Sequence, residues 1–126
     1  MRILFDSHAL VWFLTGNSRF PANLREFVSE SERVVSAVCA WELATKVARG
    51  KWPEADAVVA GLDELLGVRG YSPLPITLRH ARVAGFLPGR HRDPFDRMLA
   101  AQSQVESIPL LSADPAFREL GVHTLW

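Results

Sequence analysis

Four acidic stretches, each beside an apolar run, are the places where this sequence could do chemistry. They are Ile3-Leu4-Phe5-Asp6, Trp41-Glu42-Leu43-Ala44, Asp93-Pro94-Phe95-Asp96 and Leu110-Leu111-Ser112-Ala113-Asp114. A carboxylate held near a core is costly unless its charge is compensated. Several in one cleft repel each other, and a divalent cation relieves that repulsion. Such a cluster would bind a hard ion through oxygen ligands, as in metal-assisted cleavage of a phosphodiester. The requirement is a fold that brings the four stretches together.

The elements that must do so alternate along the chain. Arg2 to Phe5 reads as a short apolar strand, and His8 to Leu14 as an apolar helix stopped near Gly16-Asn17. Phe20-Pro21 opens a helix to about Glu30, with Leu24, Phe27 and Val28 on one face. Arg33 to Ser36 is a second strand, followed by a helix from about Ala37 to Ala48 with a basic last turn and a Gly stop. Pro53 restarts a helix carrying Val58, Val59, Leu62, Leu65 and Leu66. Gly70 to Pro75 contains a third strand, weakened by two prolines. Thr77 caps a helix to about Phe86, and Leu87 to Arg92 is a loop. Pro94 to Glu106 is a helix with Phe95, Met98, Leu99, Gln102 and Val105 at helical spacing. Ile108 to Leu111 is a strand, Pro115 to Glu119 a short helix and Val122 to Leu125 a last strand. Strands alternating with helices predict a parallel sheet wrapped on both faces. Ligands bind such sheets at the carboxyl ends of the strands. Asp6, Glu42, Asp93, Asp96 and Asp114 all fall near those ends.

Each acid also has a structural role open to it. Asp93 before Pro94 reads as an N-cap with Asp96 at N3, and Asp114-Pro115 reads the same way. Asp6 suits the cap of the first helix. Glu42 has nearly all apolar neighbours, so it is either paired with Arg or Lys or binds something. His8, His80, His91 and His123 lack zinc-site spacing. Ser7 has no nucleophile elbow around it, and no phosphate-cradling glycine loop is present. Trp12, Trp41, Trp52 and Trp126 read as core or interface residues rather than platforms for bases.

The chain has 126 residues, is 48% hydrophobic and 22% charged, and carries no net charge. That suits one domain, residues 1–126, with a proper core. No apolar run approaches the length of a membrane span, and the start is not that of a signal peptide. The single Cys39 excludes an internal disulfide and a thiolate metal cluster, so a cytoplasmic protein is expected. Zero net charge argues mildly against a nucleic-acid partner. Residues 79 to 97 are locally basic, however, with Arg79, Arg82, Arg90, Arg92 and Arg97 against Asp93 and Asp96. The plain alternative is a solvated arginine face.

With these residues together, the chain resembles a PIN-domain protein, specifically a VapC-type toxin ribonuclease of a bacterial type II toxin–antitoxin pair. The resemblance rests on Leu4 to Trp12, Ser36 to Ala44, His91 to Gln102 and Leu110 to Phe117, in the family's order, with a fitting end at Val122 to Trp126. It implies a three-layer α/β/α sandwich with a central, mostly parallel sheet. It implies an acidic pocket of Asp6, Glu42, Asp96 and Asp114 holding Mg²⁺ or Mn²⁺. Asp96 matches the family's invariant helix acid, and Asp93 is left as a supporting or capping residue, as are Ser7 and Ser112. Ser112 stands where the family often has Thr. The implied substrate is single-stranded or looped RNA, and the implied partners are a VapB-type antitoxin covering the pocket and a second copy of the chain, without a membrane.

On that basis a cation held by Asp6, Asp96 and Asp114 would polarise the phosphodiester and help water ionise. Glu42 would bind a second ion or orient the water, and the products would carry a 5′-phosphate and a 3′-hydroxyl. Arg90, Arg92 and Arg97 would guide RNA phosphates toward the site. Three rivals are weighed. A haloacid-dehalogenase-like phosphatase wants an Asp where His8 stands. A phospho-receiver domain wants an acceptor Asp at a central strand end and a late Lys, yet only Lys46 and Lys51 are present. A catalytically dead PIN module that only binds a partner is separated by a nuclease assay.

Overall fold

The computed structural model describes residues 1–89 and 93–126. Five strands form one sheet: β1 (Arg2–Phe5), β2 (Glu32–Ser36), β3 (Ser72–Leu74), β4 (Leu110–Leu111) and β5 (Thr124–Leu125). Their order is β3-β2-β1-β4-β5 and every neighbouring pair is parallel. The central position of β1 follows from its composition. Ile3, Leu4 and Phe5 are fully buried, the continuous apolar run of a strand covered on both faces. Helices flank the sheet on both sides, giving the α/β/α sandwich. Pro73 lies in β3, which pairs only with β2. An edge strand tolerates the missing N–H.

The helices are α1 (Ser7–Thr15), α2 (Ala22–Glu30), α3 (Ala37–Ala48), α4 (Asp56–Ala60), α5 (Leu62–Val68), α6 (Leu78–Phe86), α7 (Pro94–Glu106) and α8 (Ala116–Glu119). Their starts are chemically marked. Asp6, Ser36, Thr77 and Asp93 each accept backbone N–H bonds as N-caps of α1, α3, α6 and α7. Gly16 ends α1 in the left-handed conformation, which glycine adopts without strain.

One segment departs from the sequence expectation. The helix expected to run on from Pro53 is a 3₁₀ turn (Pro53–Ala55) followed by α4 and α5. Gly61 lies at the break, capping one helix and opening the next. Glycine is a poor helix former, and here it marks the division. The last two strands are also shorter than expected, at Leu110–Leu111 and Thr124–Leu125. Among the described residues no helix is long and apolar enough to cross a membrane.

The strand order creates a switch point. From β1 the chain adds β2 and β3 on one side, then returns to place β4 on the other side of β1. In open parallel sheets the crevice at such a point, beyond the strand C-termini, is where ligands bind. Register pairs Leu4 with Leu110 and Phe5 with Leu111. The next residues on the two strands are Asp6 and Ser112, at the crevice.

Candidate metal and nucleic-acid site

Asp6, Ser112 and Asp114 are joined at the switch point. Asp6 is 7% exposed, and its Oδ1 accepts the Ala9 N–H at 2.7 Å. The Ser112 hydroxyl hydrogen-bonds the Asp6 carboxylate. The same oxygen accepts the Asp114 N–H at 3.0 Å. Asp114 is exposed, and its Oδ1 accepts the Ala116 N–H at 2.9 Å. One serine therefore sets both carboxyl-bearing residues in place.

Glu42 comes from the other side, on α3. It is 8% exposed, yet both of its oxygens are engaged. The Ser7 hydroxyl donates to Oε1 at 2.6 Å, and Lys46 Nζ lies 2.9 Å from Oε2. Lys46 was not among the residues expected at the site. The signal was present as the i,i+4 spacing of Glu42 and Lys46 on one helix. The Lys46 ammonium also sits 5.4 Å from the Trp52 ring.

The helix start carrying Asp96 is fixed by Asp93, whose Oδ1 accepts the Phe95 and Asp96 N–H groups at 2.9 and 3.3 Å. Arg97 turns away from a simple surface role. Its Nε donates to the Ala84 carbonyl at 3.2 Å and its Nη2 donates to the Leu87 carbonyl. The guanidinium thus ties α7 to α6. Arg90 and Arg92, the other two arginines proposed to guide RNA, lie outside the described residues.

A buried polar network orients α3 and α7 together. The Ser36 hydroxyl, which caps α3, donates to Gln102 Oε1 on α7. Gln102 Nε2 reaches the Pro75 carbonyl at 3.3 Å and His80 Nδ1 at 3.4 Å. His80 Nδ1 also accepts the Thr77 N–H, closing a capping box, while Nε2 faces Glu106 at 3.3 Å. Because Nδ1 is an acceptor in both contacts, Nε2 carries the proton. Gln102 and His80 are 0% and 1% exposed. In the sequence Gln102 reads as part of an apolar helix face; in the fold it joins α7 to the start of α3, to α6 and to the loop after β3.

The electrostatics identify Asp6 as the centre of strain. Burial is the main cause that pushes its carboxyl up to about 7, and the Asp96 and Glu42 charges push the same way. The Ser112 and Ala9 hydrogen bonds pull it back. Burial lowers the His8 imidazole, and Lys46 lowers it further, against Glu42 and Asp114. Burial pushes the Cys39 thiol up to about 12, so it is inert as a nucleophile at neutral pH.

The donor set suits a hard divalent cation, because it is carboxylate oxygen throughout. A cation would also offset the like-charge crowding on buried Asp6. The side chains are not drawn in to ligating distance, however. Among the described residues no group of three His, Cys, Asp or Glu side chains is positioned to hold a metal ion. Asp6 and Asp114 share a cleft of about 320 Å³ with His8, Trp12, Ala113 and Pro115. Trp41 is 58% and Trp126 43% exposed, while Trp12 and Trp52 pack partly against the core.

A parallel α/β/α sandwich with acidic residues at its β1–β4 switch point defines the class of fold. The profile of the PIN domain family matches residues 3–122, and the chain belongs to that family. Among curated protein sequences none matches this one. Its fold is similar to a chain of FitAcB from Neisseria gonorrhoeae, at 22% identity and TM-score 0.74, over 98% of this chain and 96% of that one. A chain of FitAB bound to an IR36 DNA fragment gives 20% identity and TM-score 0.72, covering 98% and 93%. A chain of VapBC2 from Rickettsia felis, bound to a promoter DNA fragment, gives 16% and 0.71, covering 99% and 98%.

Proposed function

We propose that this chain is a Mg²⁺- or Mn²⁺-dependent endoribonuclease and the toxin of a VapBC-type toxin–antitoxin pair. The observation that carries the reading is the meeting of Asp6 and Asp114 through Ser112 at the switch point, with Asp96 and Glu42 close enough to raise the Asp6 pKa. Asp6, Asp96 and Asp114 would hold the ion, with Glu42 beside them. When bound, a divalent cation supplies positive charge that polarises a phosphodiester and eases the ionisation of water.

The protein's own residues prepare that site. The Ala9 N–H and Ser112 hydroxyl hold the Asp6 carboxylate in one orientation. Ser112 and the Ala116 N–H do the same for Asp114. Ser7 and Lys46 hold the Glu42 carboxylate in place, where it would orient water or a second ion. Gln102 and Ser36 fix the helices that carry Asp96 and Glu42. Arg90, Arg92 and Arg97 add positive charge next in sequence to Asp93 and Asp96, which attracts RNA phosphates. The likeness to chains of FitAB and VapBC2 supports a cognate antitoxin, and the reading is completed by a homodimer, a toxin–antitoxin hetero-oligomer and a cytoplasmic location.

The test is RNA cleavage with Mg²⁺ by wild type, Asp6→Asn and Asp96→Asn. A fall of at least a hundredfold in both variants is expected, on the scale of losing a main electrostatic group. Full activity in both would end the assignment. A second reading, a PIN module that only binds a partner, has one observation in its favour: Lys46 already neutralises Glu42. Wild type that cleaves no RNA with either ion, yet binds its antitoxin, would establish that reading.

A further inference from the structure

The cleft that contains Asp6 and Asp114 has a second chemical character. One wall carries His8 and Trp12, a helical turn apart on α1, with ring centroids 5.5 Å apart. Both rings are pinned. His8 lies against Trp52 at 4.4 Å and 33°, and Trp12 lies against Trp126 at 5.9 Å. The rings Trp52, His8, Trp12 and Trp126 therefore form a row, and its two middle members line the cleft with the carboxylates. Ala113, Asp114 and Pro115, from the loop after β4, complete the lining.

We propose that this cleft is a nucleobase pocket. It takes one unpaired base of single-stranded RNA on the His8–Trp12 wall, and so places the adjoining phosphate at Asp6 and Asp114. The proposal rests on the ribonuclease reading and adds to it the part of the substrate that the site grips.

Three observations support a base as the occupant. The volume, about 320 Å³, lies within the range of small-ligand sites. The aromatic wall and the acids are parts of one cavity, so a stacked base cannot be far from them. Charge supplies the third. The chain has no net charge, and Arg97 is engaged with backbone carbonyls. Phosphate attraction, the usual source of affinity for nucleic acid, must therefore come from local cations such as Arg19, 5.8 Å from the Trp12 ring, and not from net charge. Stacking on aromatic side chains provides affinity without charge and tolerates any base. A carboxylate-lined floor repels phosphate, so a neutral grip on the base compensates.

The experiment uses the full chain without divalent cation and a short single-stranded RNA carrying 2-aminopurine at successive positions. Stacking quenches this probe. Quenching at one position is expected for wild type, with loss in Trp12→Leu and in His8→Leu. An abasic nucleotide at that position should weaken binding roughly tenfold, the scale of one stacked base, and leaves the protein untouched should Trp12→Leu fail to fold. In cleavage assays with Mn²⁺ both variants should raise KM more than they lower kcat. Abasic RNA that binds as well as intact RNA would overturn the pocket. So would variants that lose a protein partner while keeping wild-type KM for RNA, since the rings would then serve a protein interface. Quenching without any cleavage would leave the pocket standing and refute the nuclease. Cleavage indifferent to the abasic substitution would refute the pocket alone.

Discussion

The Ser7 hydroxyl donates to Glu42 Oε1 at 2.6 Å, linking the first turn of α1 to the middle of α3. The two residues lie beyond adjacent parallel strands, β1 and β2. Their bond therefore spans the same carboxyl edge of the sheet that holds Asp6. Removing the hydroxyl leaves one oxygen of a buried carboxylate unmet while Lys46 holds the other. Ser7→Ala should lower stability by about 1–3 kcal/mol, the cost of an unmet bond to a buried charged group. Urea denaturation measures it. An unchanged midpoint would mean that Glu42 draws nothing from Ser7.

Asp6 makes stability depend on pH in a definite direction. Its folded-state pKa is raised from 3.8 to about 7. Between those values the unfolded chain has lost this proton and the folded chain still holds it. The contribution of Asp6 to stability is therefore favourable at low pH, falls as pH rises from about 4 to about 7, and levels off above that. The ceiling is on the order of 4 kcal/mol. Metal-free Asp6→Asn should melt higher than wild type at pH 8 and close to wild type at pH 4, since Asn still serves as an N-cap. Thermal unfolding in chelator at the two pH values tests this. A lower melting temperature for Asp6→Asn at pH 8 would contradict it.

Divalent cation should act in the opposite sense to that penalty. Mn²⁺ that binds only the folded state raises stability by about 2.7 kcal/mol at a hundred times its Kd. Wild type should therefore gain thermal stability with added Mn²⁺ at pH 8, and Asp96→Asn should gain much less. An equal shift in both proteins would place the ion elsewhere.

Gln102→Leu keeps the volume of the side chain and removes all its hydrogen bonds. The Ser36 hydroxyl, the Pro75 carbonyl and His80 Nδ1 then lose a buried partner. A loss of roughly 2–4 kcal/mol is expected, since partly satisfied networks are costly in a low dielectric. Chemical denaturation reads it directly. A stable, fully active variant would show that α3 and α7 are held by apolar packing alone.

Much of this was legible in the sequence because it is local. The caps at Asp6, Thr77 and Asp93 depend on residues within one turn, and β1 reads as a strand from its unbroken apolar run. The acidic stretches could be named for the same reason. What could not be read depends on long-range placement. Strand order is not encoded in any one segment, so the switch point between β1 and β4 appears only in three dimensions. Arg97 reads as a surface cation until the carbonyls of Ala84 and Leu87 come within reach. Gln102 reads as one more residue on a packed face until Ser36, Pro75 and His80 converge on it. Trp12 reads as core or interface, and the structure places it in the lining of a cleft.

The position of β1 has a consequence for assembly. One side of Leu4 pairs with Leu110, far along the chain. Local folding can join β1 to β2, but the other edge of β1 stays open until β4 docks. Such non-local pairing is slow to form. For a chain proposed to cut RNA, this acts as a safety catch: Asp6 meets Ser112 and Asp114 only when the sheet is complete, so a half-folded molecule is unarmed.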